Sequence, residues 1–259
     1  GMRFDDRVTG NLKTYALNAK KIHVDIDPSE MNKNVRADAA IVADLRETLK
    51  DLLDAVEPKE HGPWLKYIAS MKGDSAVRDI QTLPDNGHLY APHVINDIWR
   101  LTDGKAIVCT DVGQHQMWAA QHYVFDRPRR WITSGGLGTM GFGLPSAIGA
   151  QVACPEDTVV CLAGDGSLIM TCQELATAVR HEIPVKIFLM NNGYFGMVRQ
   201  WQELFWDKRY TAVEMGPSPD WPALAEAFGA KGMRVDDAGE VEGAMRDALA
   251  TEGPVLLDV

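Results

Sequence analysis

Short runs of consecutive apolar residues alternate with amphipathic stretches along most of the chain. Residues 22–26 and 39–42 read as strands, and Asp44 is placed to cap a helix on which Leu45, Leu49, Leu52, Leu53 and Val56 form one apolar stripe. Pro58 and Pro63 end that unit. The polar stretch 73–88, with Pro84, Asp85, Asn86 and Gly87 as breakers, predicts a boundary. Beyond it the alternation is more regular. Strands are predicted at 106–109, 158–163, 185–190 and 255–257, and helices at 145–152, 171–181, 220–229 and 240–250. Thr171 and Glu174 have the spacing of a capping box. Continuous apolar strands separated by helices predict an α/β fold, a parallel sheet flanked by helices and preceded by part of a second α/β domain.

Composition narrows the partners. The 259 residues are 46% apolar and 24% charged, enough for a sizeable core. A net charge of −10 argues against nucleic acid or an anionic membrane as partner, while leaving room for a local phosphate site. The four cysteines (Cys109, Cys154, Cys161 and Cys172) form no C-x-x-C pair, which predicts free thiols in a reducing compartment. No apolar run approaches the roughly 18 residues that span a bilayer.

The candidate chemistry lies at two strand ends. Gly164-Asp165-Gly166 follows one buried strand, and Asn191-Asn192 follows the next after 24 intervening residues. If the segment between them is a right-handed crossover, the strands are parallel neighbours, and Asp165 and Asn192 emerge together at the carboxyl edge where open α/β sheets bind ligands. One carboxylate and one amide oxygen are a sparse, oxygen-only set. That suits Mg²⁺, which completes its shell with phosphate and water. Ser167 and the backbone N–H groups after it can add donors to a phosphate. The inference is a metal-bridged diphosphate site.

This spacing resembles the thiamine diphosphate signature of the pyruvate decarboxylase-like enzymes. Three further blocks, 113–121, 134–141 and 191–201, resemble acetohydroxyacid synthase (acetolactate synthase), as does the opening Arg3-Phe4-Asp5-Asp6-Arg7-Val8-Thr9-Gly10. The resemblance covers essentially the whole chain and implies a set of roles. Asp165 and Asn192 hold Mg²⁺ together with the backbone carbonyl of Tyr194. Gln114, His115 and Ser167 contact the cofactor diphosphate, beside Gly164 and Gly166. Met140 is the apolar wedge under the bent cofactor, and the Gly138 carbonyl accepts a hydrogen bond from its aminopyrimidine. Met197, Val198 and Trp201 line the substrate entrance, with Trp201 discriminating between second substrates. Arg3, Asp25 and Asp44 lie near an FAD of largely structural role.

The implied domains are residues 1–57, the end of the FAD-associated middle domain; 58–89, a linker; and 90–259, the domain that binds thiamine diphosphate and Mg²⁺. The implied reaction decarboxylates pyruvate and joins the remainder to a second 2-oxo acid, pyruvate or 2-oxobutyrate, in branched-chain amino-acid synthesis. A homodimer or tetramer, a small regulatory subunit and a bacterial cytoplasmic setting, or else a plastid or mitochondrion, go with it. The family pattern also holds an earlier domain, whose glutamate hydrogen-bonds the pyrimidine ring, and a tail past Val259. Neither is matched here, so the expectation is a truncated chain that binds the cofactor weakly and is inactive alone.

Plainer readings stand beside these. Met140 is equally a packing residue, and Met197 with Trp201 an ordinary apolar helix face. His115 reads as a structural hydrogen-bonder, Asp25 and Asp44 as strand-end and cap carboxylates, and Arg3, Asp5, Asp6 and Arg7 as a solvated charge cluster. Pyruvate oxidase, glyoxylate carboligase, a 2-oxo acid decarboxylase and a non-catalytic cofactor-binding fragment are the alternative functions.

Overall fold

Strand residues that are apolar at every position must find cover on both faces, and the second part of the chain meets that demand. In the computed structural model, which describes residues 4–71 and 88–259, six strands form one sheet in the order β4-β3-β5-β6-β8-β7, all parallel. They are β3 (Ile107–Thr110), β4 (Trp131–Thr133), β5 (Val159–Gly164), β6 (Lys186–Met190), β7 (Lys231–Arg234) and β8 (Val255–Asp258). Every residue of β3, β5, β6 and β8 is buried.

Alternation along these strands feeds two cores. Ile107, Cys109, Val159, Cys161, Ile187 and Leu256 pack on one face with α6 (Gly143–Ala153), α8 (Leu175–Arg180) and α10 (Trp221–Phe228). Val108, Val160, Leu162, Phe188, Val255 and Leu257 pack on the other with α4 (Ala91–Leu101), α5 (Gln114–His122) and α11 (Val241–Ala250). Each such side chain contributes roughly 1.5–3 kcal/mol through burial, so the sheet with its two helical layers is the stable frame. The chain steps from β3 outward to β4, then crosses back to β5 and on to β6. That reversal opens a crevice over the carboxyl ends of β3 and β5.

Several local expectations change. The capping box at Thr171 does not form: the Thr171 hydroxyl donates to the Gly141 carbonyl (3.1 Å), and Glu174 accepts from Thr177 instead. The predicted helix therefore begins as a 3₁₀ turn, Cys172–Glu174, before α8. The tertiary bond to Gly141 outcompetes the local cap. At α10 the expected signals act as read, with Asp220 at the N-cap and Gly229 in the left-handed conformation (φ 91°) at the C-cap.

The chain divides into two units, Gly1–Ala76 and Val77–Val259. In the first, β1 (Ile22–Asp25) and β2 (Ala39–Val42) are parallel, with Asp25 opposite Val42. A short helix α1 (Asp6–Thr9) precedes them, and α2 (Leu45–Ala55) follows, capped by the Asp44 carboxylate on the Arg46 N–H (2.8 Å). The α2 stripe is not buried within its unit: Leu45, Leu49, Leu52, Leu53 and Val56 are 39–78% exposed. A two-stranded sheet offers too little surface to cover it. Within the span expected as linker, α3 (Gly62–Met71) is helical, with Trp64 and Tyr67 stacked at 5.5 Å. Pro63 sits in its first turn, where proline costs no hydrogen bond. Residues 73–87 of the turn-rich stretch, and Arg3, lie outside the described residues. Among the described residues no helix is long and apolar enough to cross a membrane.

Candidate functional site

A cleft of about 340 Å³ opens above the carboxyl ends of β3, β5 and β6. Its floor is the set of turns that leave those strands. Val112, Gly113, Gln114 and His115 come from β3 and α5; Gly164, Asp165, Gly166 and Ser167 come from the end of β5 and the short α7 (Asp165–Leu168). Met190, Asn191, Asn192 and Tyr194 come from the end of β6, with Met140 from the turn before α6.

Asp165 and Asn192 both line the cleft because β5 and β6 are adjacent and in register, Gly164 opposite Met190. The Asp165 carboxylate is buried and accepts from its neighbour Gly166 N–H (2.9 Å) and from Gly193 N–H (2.7 Å). The second bond ties the turn after β6 to the tip of β5. Asn191 holds that turn from behind, donating through Nδ2 to Asp258 (2.9 Å). The Asn192 side-chain oxygen accepts from Tyr194 N–H at 3.0 Å. Residues 213–215 brace the outer side, with Phe195 N–H on the Val213 carbonyl (2.8 Å) and Met215 N–H on Gly193 (3.0 Å). The Arg199 guanidinium lies 4.2 Å over the Tyr194 ring.

Burial pushes the Asp165 carboxyl above its usual range against the pull of its N–H donors. A carboxylate in that position gains from a cation. Among the described residues no three His, Cys, Asp or Glu side chains gather to hold a metal by themselves. An ion here would use one carboxylate, an amide oxygen and a backbone carbonyl, and take its remaining ligands from a phosphate-bearing partner, as suits Mg²⁺.

His115 is buried, and its Nε2 has no hydrogen-bond partner although the residue lines the cleft. The ring bonds to the Asp111 backbone and lies where a Gly164 Cβ would be, 2.9 Å from it. Burial lowers its pKa to about 4, so the ring is neutral at pH 7. Gly166 is equally tight, since a Cβ there would stand 2.7 Å from the Phe195 ring. Gln114 donates to the Gln200 side chain at 2.9 Å, which joins α5 to α9 (Gly196–Phe205). These features, an orphaned buried nitrogen and a glycine-lined floor beside a carboxylate, fit an anionic group bridged by a cation.

Of the remaining predicted residues, Met197 and Val198 line the cleft, whereas Trp201 is 43% exposed and outside its lining. Gly138 also lies outside the lining, in a left-handed turn (φ 64°) that Met140 follows. In the first unit Asp25 ends β1, where it accepts from Asp27 N–H (2.9 Å), and Asp44 follows the end of the parallel neighbour β2. Sequence reasoning missed Phe195 and the wall formed by Leu89, Tyr90 and Pro92 in the cleft lining, and Asp111, which bonds to the turn after Met140. The sequence signal for Asp111 was a carboxylate directly after an apolar strand.

Comparison with known proteins agrees with this geometry. Residues 111–259 match the model of the thiamine pyrophosphate enzyme C-terminal TPP binding domain, and residues 1–52 that of the central domain of the same enzymes. The chain is 47% identical over its whole length to the acetolactate synthase isozyme 2 large subunit of Escherichia coli K12, covering 46% of that protein. It is 45% identical over 96% of its length to the isozyme 3 large subunit, covering 44%. Against the probable acetolactate synthase large subunit of Methanococcus aeolicus it is 42% identical over its whole length, covering 45%. The chain thus spans under half the length of these relatives. On the match over residues 111–259, more than half of its length, the chain belongs to the thiamine pyrophosphate enzymes.

Proposed function

We propose that this chain carries the Mg²⁺–thiamine diphosphate site of an acetolactate synthase, which decarboxylates pyruvate and joins the remainder to a second 2-oxo acid. The observation that carries the reading is the Asp165–Gly193 hydrogen bond (2.7 Å), which fixes the turns after β5 and β6 against each other at the floor of one cleft. Asp165, Asn192 and the Tyr194 carbonyl hold the Mg²⁺; Gln114, His115 and Ser167 face the diphosphate. Gly164 and Gly166 leave room for the His115 and Phe195 rings to pack beside it. Met140, from the turn before α6, would support the cofactor from its apolar side, and the Gly138 carbonyl would accept from its aminopyrimidine. When bound, thiamine diphosphate supplies the electron sink that lets the bond to the pyruvate carboxylate break and a new carbon–carbon bond form. Met197 and Val198 form the apolar wall at which substrate enters and water is excluded, and Trp201, one turn further along α9, selects the second substrate.

That the relatives are large subunits supports a small-subunit partner, and their acetolactate synthase activity supports pyruvate as substrate; 2-oxobutyrate as a second acceptor belongs to the same reading. A homodimer or tetramer belongs to the same reading. A structural FAD would lie at the carboxyl edge of β1 and β2, beside Asp25 and Asp44, with Arg3 as a further contact in the same reading. The domain assignment proposed is 1–57, 58–89 and 90–259, with α3 as an ordered part of the middle segment. The test is product analysis on the full protein that carries this sequence, supplied with pyruvate and 2-oxobutyrate. Acetolactate and acetohydroxybutyrate are expected; acetyl phosphate, acetaldehyde or no product contradicts the assignment. The 259-residue chain by itself is expected to give no acetolactate, and a normal rate from it would overturn that part.

A further inference from the structure

Asp111 has no role in the site so far, yet it is wholly buried, at the end of β3, directly behind the cleft. A carboxylate so placed is costly unless its oxygens are filled. Oδ1 accepts from Val112 N–H (2.9 Å) and Gly141 N–H (2.8 Å), and Oδ2 accepts from Gly143 N–H (3.1 Å). The Ser167 hydroxyl also lies against it, while donating to the Val112 carbonyl at 2.9 Å. One side chain thus joins three separate segments that reach the cleft: the exit of β3, the turn that follows Met140, and the exit of β5. The approach is close enough to dictate sequence, because a Cβ on Gly143 would stand 2.9 Å from both the backbone nitrogen and the Cβ of Asp111.

The structure assigns Asp111 as a positioning residue: its carboxylate anchors the Gly141–Gly143 turn to β3 and β5 and thereby fixes Met140 over the cleft floor. The anchoring itself needs no cofactor, whereas its effect on affinity rests on the thiamine diphosphate reading. Two parallel N–H bonds to a buried carboxylate leave the turn one conformation. An amide in its place can still accept at Oδ1 but presents N–H groups to the Gly143 N–H, so that bond is lost.

The test compares the full protein with D111N and G143A by hydrogen-exchange mass spectrometry without cofactor. Calorimetry with thiamine diphosphate and Mg²⁺ follows, together with pyruvate kinetics. The expected exchange at the peptide holding Gly141 and Gly143 is about tenfold faster or more in D111N, as a lost charge-assisted hydrogen bond implies. Protection in β5 and β6 should be retained. Cofactor affinity should fall about tenfold, D111E should recover part of it, and kcat should fall more than the pyruvate KM rises. The D111N/G143A double variant should be no worse than the more affected single variant, since both loosen the same turn. Unchanged exchange at that peptide overturns the assignment. So does a loss of protection spread evenly over β3, β5 and α6, which would make Asp111 a general core residue. If exchange rises locally while affinity is unchanged even in Asp165→Ala, the anchoring holds and the cofactor reading fails.

Discussion

At the scale of single residues the site is a set of buried polar groups with unequal satisfaction. His115 is the clearest. Its unfolded pKa is the ordinary 6.5 and its folded pKa about 4, so the unfolded state takes up a proton first as pH falls. Stability from this group is complete above pH 6.5, declines through the interval down to about 4, and is fully lost below it. Urea unfolding should show about 2 kcal/mol lost between pH 7 and pH 5, and His115→Gln should flatten that slope. Nε2 is buried without a partner in a residue that lines the cleft, and a phosphate oxygen brought to it is matched by the protonated ring. Cofactor binding near pH 6.5 should therefore draw up a proton, read by calorimetry in buffers of different ionisation enthalpy. The thiols give an independent check. Burial pushes Cys109 up to about 12 and Cys161 well above its ordinary value, while Cys154 and Cys172 are half-buried. A thiol reagent at pH 8 should modify Cys154 and Cys172 in the native protein and Cys109 and Cys161 only after denaturation.

At the scale of elements, the turns after β3, β5 and β6 decide what the strands can present. Gly166→Ala would drive its Cβ into the Phe195 ring, 2.7 Å away, and should cost about 1–3 kcal/mol with a fall in cofactor affinity. Phe195→Leu in the same chain should restore part of both, as melting curves and calorimetry would show. Legibility followed the same division. The buried strands β3, β5, β6 and β8 were readable because a sheet covered on both faces demands unbroken apolar runs, and Gly229 because a left-handed cap favours glycine. The α5 helix was not, since Gly113-Gln114-His115-Gln116 carries no periodic apolar face: only His115 and Ala119 of it are buried. β4 and β7 are half-exposed edge strands without a strong pattern. Thr171 misled because a long-range bond to Gly141 is invisible in local spacing. Within the site, the Asp165/Asn192 pair was readable from strand order, whereas Asp111 needed the turn after Met140 to fold back on β3 before its carboxylate had meaning.

At the scale of the molecule, the second unit is a scaffold whose two apolar cores hold strand tips still enough for a charged site. The reversal between β3 and β5 places the cleft at the carboxyl edge of the sheet. The account depends on a cation shared by Asp165, Asn192 and a bound diphosphate. The most direct measurement is thiamine diphosphate binding by calorimetry on the full protein, with Mg²⁺ and with the metal chelated, for the native protein and Asp165→Asn. The account predicts tight binding only with Mg²⁺, and a variant that folds but binds about equally weakly in both conditions. Binding that is indifferent to the metal in the native protein, or still metal-dependent in Asp165→Asn, would contradict it.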